Sequence, residues 1–158
     1  MSRQIHIRLA HPDDKLNIIE VQRHASLASE TGDILDKLLE QPELFEIDEE
    51  LLANNEVIVA EIGATIVGFA SFIAQDGEDA ELDGMFVEPN HWRQGIGRLL
   101  IEAVERELIA WQATRLRVVA NPHALAFYKA VGFVTIGEAK TPLGPVAPVM
   151  AKAITGRS

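Results

Sequence analysis

The sequence predicts an α/β fold: a mixed, mostly antiparallel sheet of about seven strands flanked by helices, in a single domain spanning residues 1–158. Three observations carry that expectation. Short β-branched runs with period-two patterning recur along the chain. Two of them, 56–61 and 65–73, are joined by a short turn containing Gly63, as in an antiparallel hairpin. The two late helical stretches each lie between strands, where they can serve as crossovers.

Residues 5–9, IHIRL, alternate as a half-buried strand does. His11-Pro12-Asp13-Asp14 reads as a turn and helix start, with proline and acids in the first turn. Leu16, Ile19, Val21, Ala25 and Leu27 supply the apolar stripe of the next helix, to about Ala28. Thr31-Gly32-Asp33 breaks it. Ile34, Leu35, Leu38 and Leu39 mark a second helix ending near Gln41-Pro42, and 47–53 a third, short one. EVIVAE and TIVGFASFI form the hairpin. In 80–87, AELDGMFV, Glu81, Asp83, Met85 and Val87 share one face and Leu82, Gly84 and Phe86 the other. Pro89 ends that strand.

From Gly97 onward, Leu99, Leu100, Ala103, Val104, Leu108 and Trp111 recur at helical spacing. Residues 115–120, RLRVVA, alternate again. Asn121-Pro122 opens a helix through Leu125 to Val131, with Ala124, Phe127 and Val131 as its apolar stripe and Gly132 at C′. Strands at 133–136 and 146–152 close the order, separated by the loop TPLGP.

Composition narrows the function classes. With 47% hydrophobic and 24% charged residues the chain is that of an ordinary globular protein. No apolar run approaches the roughly 20 residues of a membrane helix, and the first residues lack the apolar core of a signal peptide. No membrane association and a cytoplasmic location are therefore expected. There is no cysteine, which excludes thiolate metal sites and a cysteine acyl-enzyme. A formal charge of −10 argues against nucleic-acid binding through a basic face. The same field suits a cationic partner, or simply solubility. The five histidines show no ligand spacing, so no metal is expected.

Two stretches carry chemistry. The first is HWRQGIGRLL, 91–100, where two glycines stand at the start of a helix. A helix N-terminus offers unsatisfied N–H groups and the positive end of the macrodipole, and small residues there let an anion approach. Arg93 and Arg98 add positive charge. A plain loop and helix cap would use the same residues. The dinucleotide fingerprint would need a third glycine, and the P-loop a Gly-Lys-Ser/Thr ending; neither is present. The second stretch is NPHALAFYKAVGF, 121–133, which holds the only tyrosine, Tyr128. Taken alone, a helical tyrosine is a core or rim residue.

Together, MFVEPNHWRQGIGRLL and NPHALAFYKAVGF, at their separation and in this order of elements, resemble the GNAT superfamily of acyl-CoA-dependent N-acyltransferases. The resemblance covers about Ile5 to Ala153. It implies a transferase using acetyl-CoA, a coenzyme A co-substrate, and no metal. The family's pyrophosphate loop, (Gln/Arg)-x-x-Gly-x-(Gly/Ala), falls on Trp92–Gly97, with Arg93, Gln94, Gly95, Ile96, Gly97 and Arg98 turned to coenzyme A. Trp92 departs from it, standing where the family has Arg or Gln. Met85, Phe86 and Val87 would pair with the pantetheine arm as an added strand pairs with a sheet edge, the Met85 amide donating to the thioester carbonyl. Asn121 and Tyr128, with Phe127 beside them, match positions that hold the pantetheine, and Tyr128 the group that protonates the leaving thiolate.

A substrate amine arrives largely as ammonium, with a pKa of about 10.4, so a base is needed. Glu81 occupies a position where several family members keep a glutamate, acting directly or through water; Asp83 is the second candidate. Both acids also fit a solvated strand face. His91 and His123 read as solvent-facing or capping residues, and Trp92 and Trp111 as packing residues. Direct attack in a ternary complex is the simplest route when no cysteine can carry the acyl group. The acid-rich region 30–50 suggests a cationic amine acceptor, a small molecule or a peptide, although a solvated helical face is the plainer account of it. The alternative function is a non-catalytic acyl-CoA-sensing module; a nucleotide-dependent redox protein is disfavoured by the missing glycine. Dimers are common among proteins of this resemblance, so a homodimer is a further expectation, though no stretch marks an interface.

Overall fold

The computed structural model describes residues 4–41, 45, 47–74, 78–141 and 146–154. Seven strands form one sheet in the order β1-β2-β3-β4-β5-β7-β6. They are β1 (Ile5–Leu9), β2 (Val57–Ile62), β3 (Thr65–Ala74), β4 (Asp79–Val87), β5 (Arg115–Val119), β6 (Val134–Lys140) and β7 (Val146–Ala153). The helices are α1 (Lys15–Ser29), α2 (Gly32–Glu40), α3 (Glu49–Ala53), α4 (Ile96–Ala110) and α5 (Leu125–Ala130). The sheet is mixed and mostly antiparallel, as expected: β4 and β5 run parallel, while β1–β2, β2–β3, β5–β7 and β6–β7 are antiparallel. None of the described helices is long and apolar enough to cross a membrane. The expected turns at 75–77 and 142–145 lie outside the described residues.

The chain divides into two compact units, with β3, β4 and α4 contributing to both. The first runs to Ser71 and again from Gly84 to Ala103. Its α1 is launched as the proline and acids suggested. Asp14 accepts from the His11 N–H at 2.8 Å, and the Asp14 N–H returns to the His11 carbonyl at 2.9 Å. Val21 and Ala25 are buried as expected; Ile18 is buried in place of Ile19, and Leu16 is 75% exposed. In α2 only Leu38 is buried, and Leu39 is exposed. Asp48 caps α3 by accepting from the Glu50 N–H at 2.9 Å.

One network fastens β1 in this unit. The Arg8 guanidinium bonds Asp14 at 2.9 Å and Glu61 at 3.2 Å, and His6 reaches the same Glu61 at 3.0 Å. Bonding to Arg8 holds the Asp14 and Glu61 carboxyls below their ordinary pKa values.

The second unit holds residues 72–83 and everything from Val104 onward. Leu82, Leu108, Leu116, Met150 and Phe133 are its most deeply buried large side chains, with Phe72. β6 runs to Lys140, four residues past the expected end, and is exposed along most of its length. Lys152 of β7 pairs with Glu105 of α4 at 3.2 Å.

Candidate active site

The first unit carries the glycine-containing turn at 91–97. β4 enters it beside β3: the Glu88 N–H donates to the Val67 carbonyl at 2.8 Å, and a Cβ at Gly84 would stand 3.4 Å from Ser71 Oγ. Those two contacts run in opposite senses along the strands, so β3 and β4 are antiparallel here. Backbone groups alternate sides along a strand. Glu88, Phe86 and Gly84 therefore turn their N–H and C=O to β3, and Val87 and Met85 turn theirs the other way. The ladder from β4 to β5 covers only Asp79–Leu82, so Met85 lies past its end.

After β4 the chain makes the 3-10 turn Pro89–His91 and then reverses into α4. Gly95 supplies the reversal. Its φ is +84°, a left-handed conformation that favours glycine, and no atom lies within 4 Å of where a Cβ would stand. Arg93 is also left-handed, at φ 65°. Gly97, by contrast, is already inside the helix with no such requirement. The first helical bond is Leu99 N–H to the Gly95 carbonyl, at 3.2 Å. The N–H groups of Ile96, Gly97 and Arg98 precede it, and no acceptor for them is found among the described residues. Three aligned donors, the helix dipole and two exposed arginines make a place for a diphosphate in an otherwise acidic chain.

Two features that shape the turn were not anticipated from the sequence. Gly68 of β3 lies beneath it. A Cβ there would stand 3.2 Å from the Phe86 carbonyl oxygen, 3.3 Å from Ile96 Cγ2 and 3.4 Å from Leu100 Cδ1. The missing side chain lets the first turn of α4 sit close on the sheet. The available signal was a glycine inside an otherwise β-branched strand, which marks close approach. The second feature is Trp92. It is 42% exposed, not the packing residue expected, and its indole N–H donates to the Val87 carbonyl at 2.7 Å. His91 Nδ1 and Gln94 Oε1, at 3.2 Å, brace the turn from within.

The second unit holds the other predicted residues. Glu81 is half-buried on β4, opposite Arg117 of β5; Asp83 is exposed. Arg115 makes a two-pronged bond to Asp79 at 3.1 and 2.9 Å on the same strand pair. Asn121 caps the 3-10 turn Pro122–Ala124 as expected, accepting from the His123 N–H at 2.9 Å. Val131 of the expected stripe is buried. Tyr128, not Phe127, is the buried aromatic of α5, 5% exposed, with Phe127 and Phe133 edge-on at 5.4 and 5.3 Å. Burial pushes the phenol up to about 12. Trp111 falls just beyond α4 rather than in its buried stripe, edge-on to Phe72 at 6.0 Å. Leu99 is likewise at the surface, and Ile96 and Ile101 take the buried positions instead. No group of three or more metal-ligating side chains is found among the described residues.

Comparison with known proteins gives the family and the fold. An uncharacterized N-acetyltransferase of Pyropia yezoensis, ycf52, is 25% identical over 88 residues, covering 52% of this chain and 51% of that protein. The chain thus spans about half the length of the curated relative it matches. The PaiA N-acetyltransferase of Thermoplasma acidophilum, solved with coenzyme A, aligns with a TM-score of 0.74 at 19% identity, over 95% of this chain and 99% of that one. The ribosomal-protein-S18-alanine N-acetyltransferase of Escherichia coli aligns with a TM-score of 0.70 at 21% identity, over 98% and 97%. These two likenesses are of fold. The profile of the Acetyltransferase (GNAT) family matches residues 23–133. With that match over most of its length, the chain belongs to the GNAT acetyltransferase family.

Proposed function

We propose that residues 1–158 act as one acetyl-CoA-dependent N-acetyltransferase domain. The observation that carries this is the start of α4: three N–H groups without acceptors among the described residues, opened by left-handed Gly95 and flanked by Arg93 and Arg98. The donor set fits a diphosphate, and it lies one turn beyond a strand whose Met85 backbone points away from its neighbour β3. Acetyl-CoA, when bound, supplies an activated acetyl thioester.

The residues then divide the work. Arg93 to Arg98 hold the diphosphate, with Gln94 bracing the turn. Met85, Phe86 and Val87 align the extended arm, and the Met85 N–H donates to the thioester oxygen as negative charge gathers there. Glu81 takes the proton of the incoming ammonium, directly or through a water, with Asp83 as the second candidate; this frees the nitrogen lone pair for the carbonyl carbon. Attack leaves a second surplus proton on the nitrogen of the tetrahedral intermediate. It passes to solvent as the C–S bond breaks, the electron pair of that bond goes to sulfur, and the departing thiolate regains a proton from solvent. Tyr128 donates toward that sulfur. With its phenol raised to about 12, it stays protonated at any physiological pH. Full transfer to a thiolate of ordinary pKa, about 8.5, is uphill, so Tyr128 acts first as a hydrogen-bond donor. Asn121 and Phe127 steady the arm.

The acceptor is an amine, a small molecule or a peptide end, and the acid-rich stretch 30–50 supports a cationic one. Direct attack without an acyl-enzyme, a cytoplasmic location and a homodimer belong to the same reading. The test is a panel of amines and peptides incubated with acetyl-CoA, read as free thiol released. Turnover on any amine that falls at least tenfold in Tyr128→Phe supports the enzyme. Saturable coenzyme A binding without turnover on any amine would leave the sensing module instead.

A further inference from the structure

We propose that Trp92 is a positioning residue that sets the spacing between the two edges that grip coenzyme A, an inference that rests on the reading above. Alternation along β4 turns the Met85 and Val87 backbone groups away from β3. Val87 is the last residue of the strand, so its carbonyl is the last outward acceptor on that edge. The Trp92 indole N–H occupies it at 2.7 Å. An extended ligand pairing along the edge therefore meets Met85 and, at Val87, a carbonyl already engaged by the indole through one of its two lone pairs.

The same bond fixes the turn. Between Val87 and the first acceptor-free N–H, at Ile96, lie residues 88–95, with two left-handed residues among them. Their other bonds close locally: His91 N–H to Glu88, Trp92 N–H to Pro89, His91 to Gln94, and Gln94 to Asn90. Glu88 is tied elsewhere, to Val67 of β3 and to His24 of α1 at 2.8 Å. Among the bonds described, the indole alone returns the tip of the turn to the outward edge of β4. It registers the diphosphate donors of α4 against the arm-binding edge of β4. This gives a role to the one residue of the loop that departs from the Arg/Gln pattern: it makes its contribution through the strand, with the charge left to Arg93 and Arg98.

Trp92→Phe keeps an aromatic ring and removes the donor. Loss of one hydrogen bond, about 1 kcal/mol net, corresponds to roughly fivefold weaker binding of a ligand that needs both edges registered. Calorimetry with coenzyme A should show that loss. ADP, which has a diphosphate and no arm, should change less than twofold. Unchanged coenzyme A affinity overturns the proposal, and so does equal weakening of both ligands, which would mean a generally loosened turn. A wild-type protein that binds no coenzyme A condemns the acetyltransferase reading instead. Solvent exchange of the indole proton gives a second test, independent of ligand. The chain has two tryptophans, so Trp92→Phe assigns the signals. The Trp92 indole proton should exchange at least tenfold slower than a free indole; exchange at the free rate refutes the bond.

Discussion

Gly68→Ala probes the packing that places the turn proposed to hold coenzyme A. The glycine is not there for its backbone angle, because its φ is not among the left-handed ones. It is there for space. The new Cβ would meet a backbone oxygen at 3.2 Å and two side-chain carbons of α4 at 3.3 and 3.4 Å. Each is tighter than an ordinary contact by a few tenths of an ångström, and the carbonyl cannot rotate away. Overpacking of this kind costs about 1–3 kcal/mol. Removing glycine's excess chain entropy in a strand returns about 0.5–1 kcal/mol. The net is a loss of up to about 2.5 kcal/mol, centred near ~1 kcal/mol, or roughly 2–4 °C in Tm for a chain of this size. Gly137→Ala in β6 is the control. No atom lies within 4 Å of its Cβ position, so only the entropic gain applies. Thermal melts of both variants, with coenzyme A calorimetry on each, separate the terms. Gly68→Ala should melt below wild type and bind coenzyme A more weakly, while Gly137→Ala matches or exceeds wild type in Tm. If Gly68→Ala is as stable as Gly137→Ala and binds normally, the close approach of α4 to β3 is not what positions the turn.

The remaining expectations concern the turn, the buried phenol and the β1 network. Gly95→Ala forces an L-residue to φ near +84° and should cost about 1–2 kcal/mol and weaken coenzyme A binding, whereas Gly97→Ala, in helical conformation, should fold at least as stably as wild type; denaturant melts decide. Tyr128→Phe preserves the edge-on ring contacts, so its stability at pH 7 should change by less than about 1 kcal/mol. In alkali the two proteins should diverge. The wild-type phenol has a folded value of about 12 against 10 unfolded, so its contribution is intact below pH 10 and is lost as pH rises toward 12. The shift corresponds to about 2–3 kcal/mol, and Tyr128→Phe should lack that part of the alkaline loss. The Asp14 and Glu61 carboxyls are depressed by Arg8, so their contribution is present above their unfolded values and fades as pH falls through the folded ones. Arg8→Gln should therefore flatten the acid limb of a stability–pH profile; an unchanged limb would show that the network carries no stability.

Strands and helices were legible wherever burial imposes a period. β4 shows this best, since Ala80 and Leu82 are buried and Glu81 and Asp83 are not, as the alternation of AELDGMFV requires. β6 was read short because a strand exposed along most of its length has no buried face to write a pattern into the sequence. The stripes of α1 and α5 were legible in part: Val21, Ala25 and Val131 are buried as expected. The errors fall where neighbouring positions are both apolar or aromatic, Ile18 beside Ile19 and Phe127 beside Tyr128, so that the linear pattern does not say which of the two faces the core.

The site was legible as two motifs and not as a mechanism of assembly. HWRQGIGRLL displayed its glycines, but not that Gly95 alone of the two needs a left-handed backbone. Gly68 was hidden in TIVGFASFI, where a run of apolar neighbours masks a residue chosen for its lack of a side chain. The hydrogen bond from Trp92 to Val87 spans five residues and depends on a turn geometry that no local pattern encodes.

The central claim is that coenzyme A binds through the start of α4 and the outward edge of β4. Titrating acetyl-CoA into isotope-labelled protein while monitoring backbone amide shifts tests it most directly. Saturable shifts should concentrate at Gly95–Arg98 and at Met85, with the α3 amides unmoved. Saturation with the largest shifts elsewhere, or no shifts at millimolar acetyl-CoA, would contradict it.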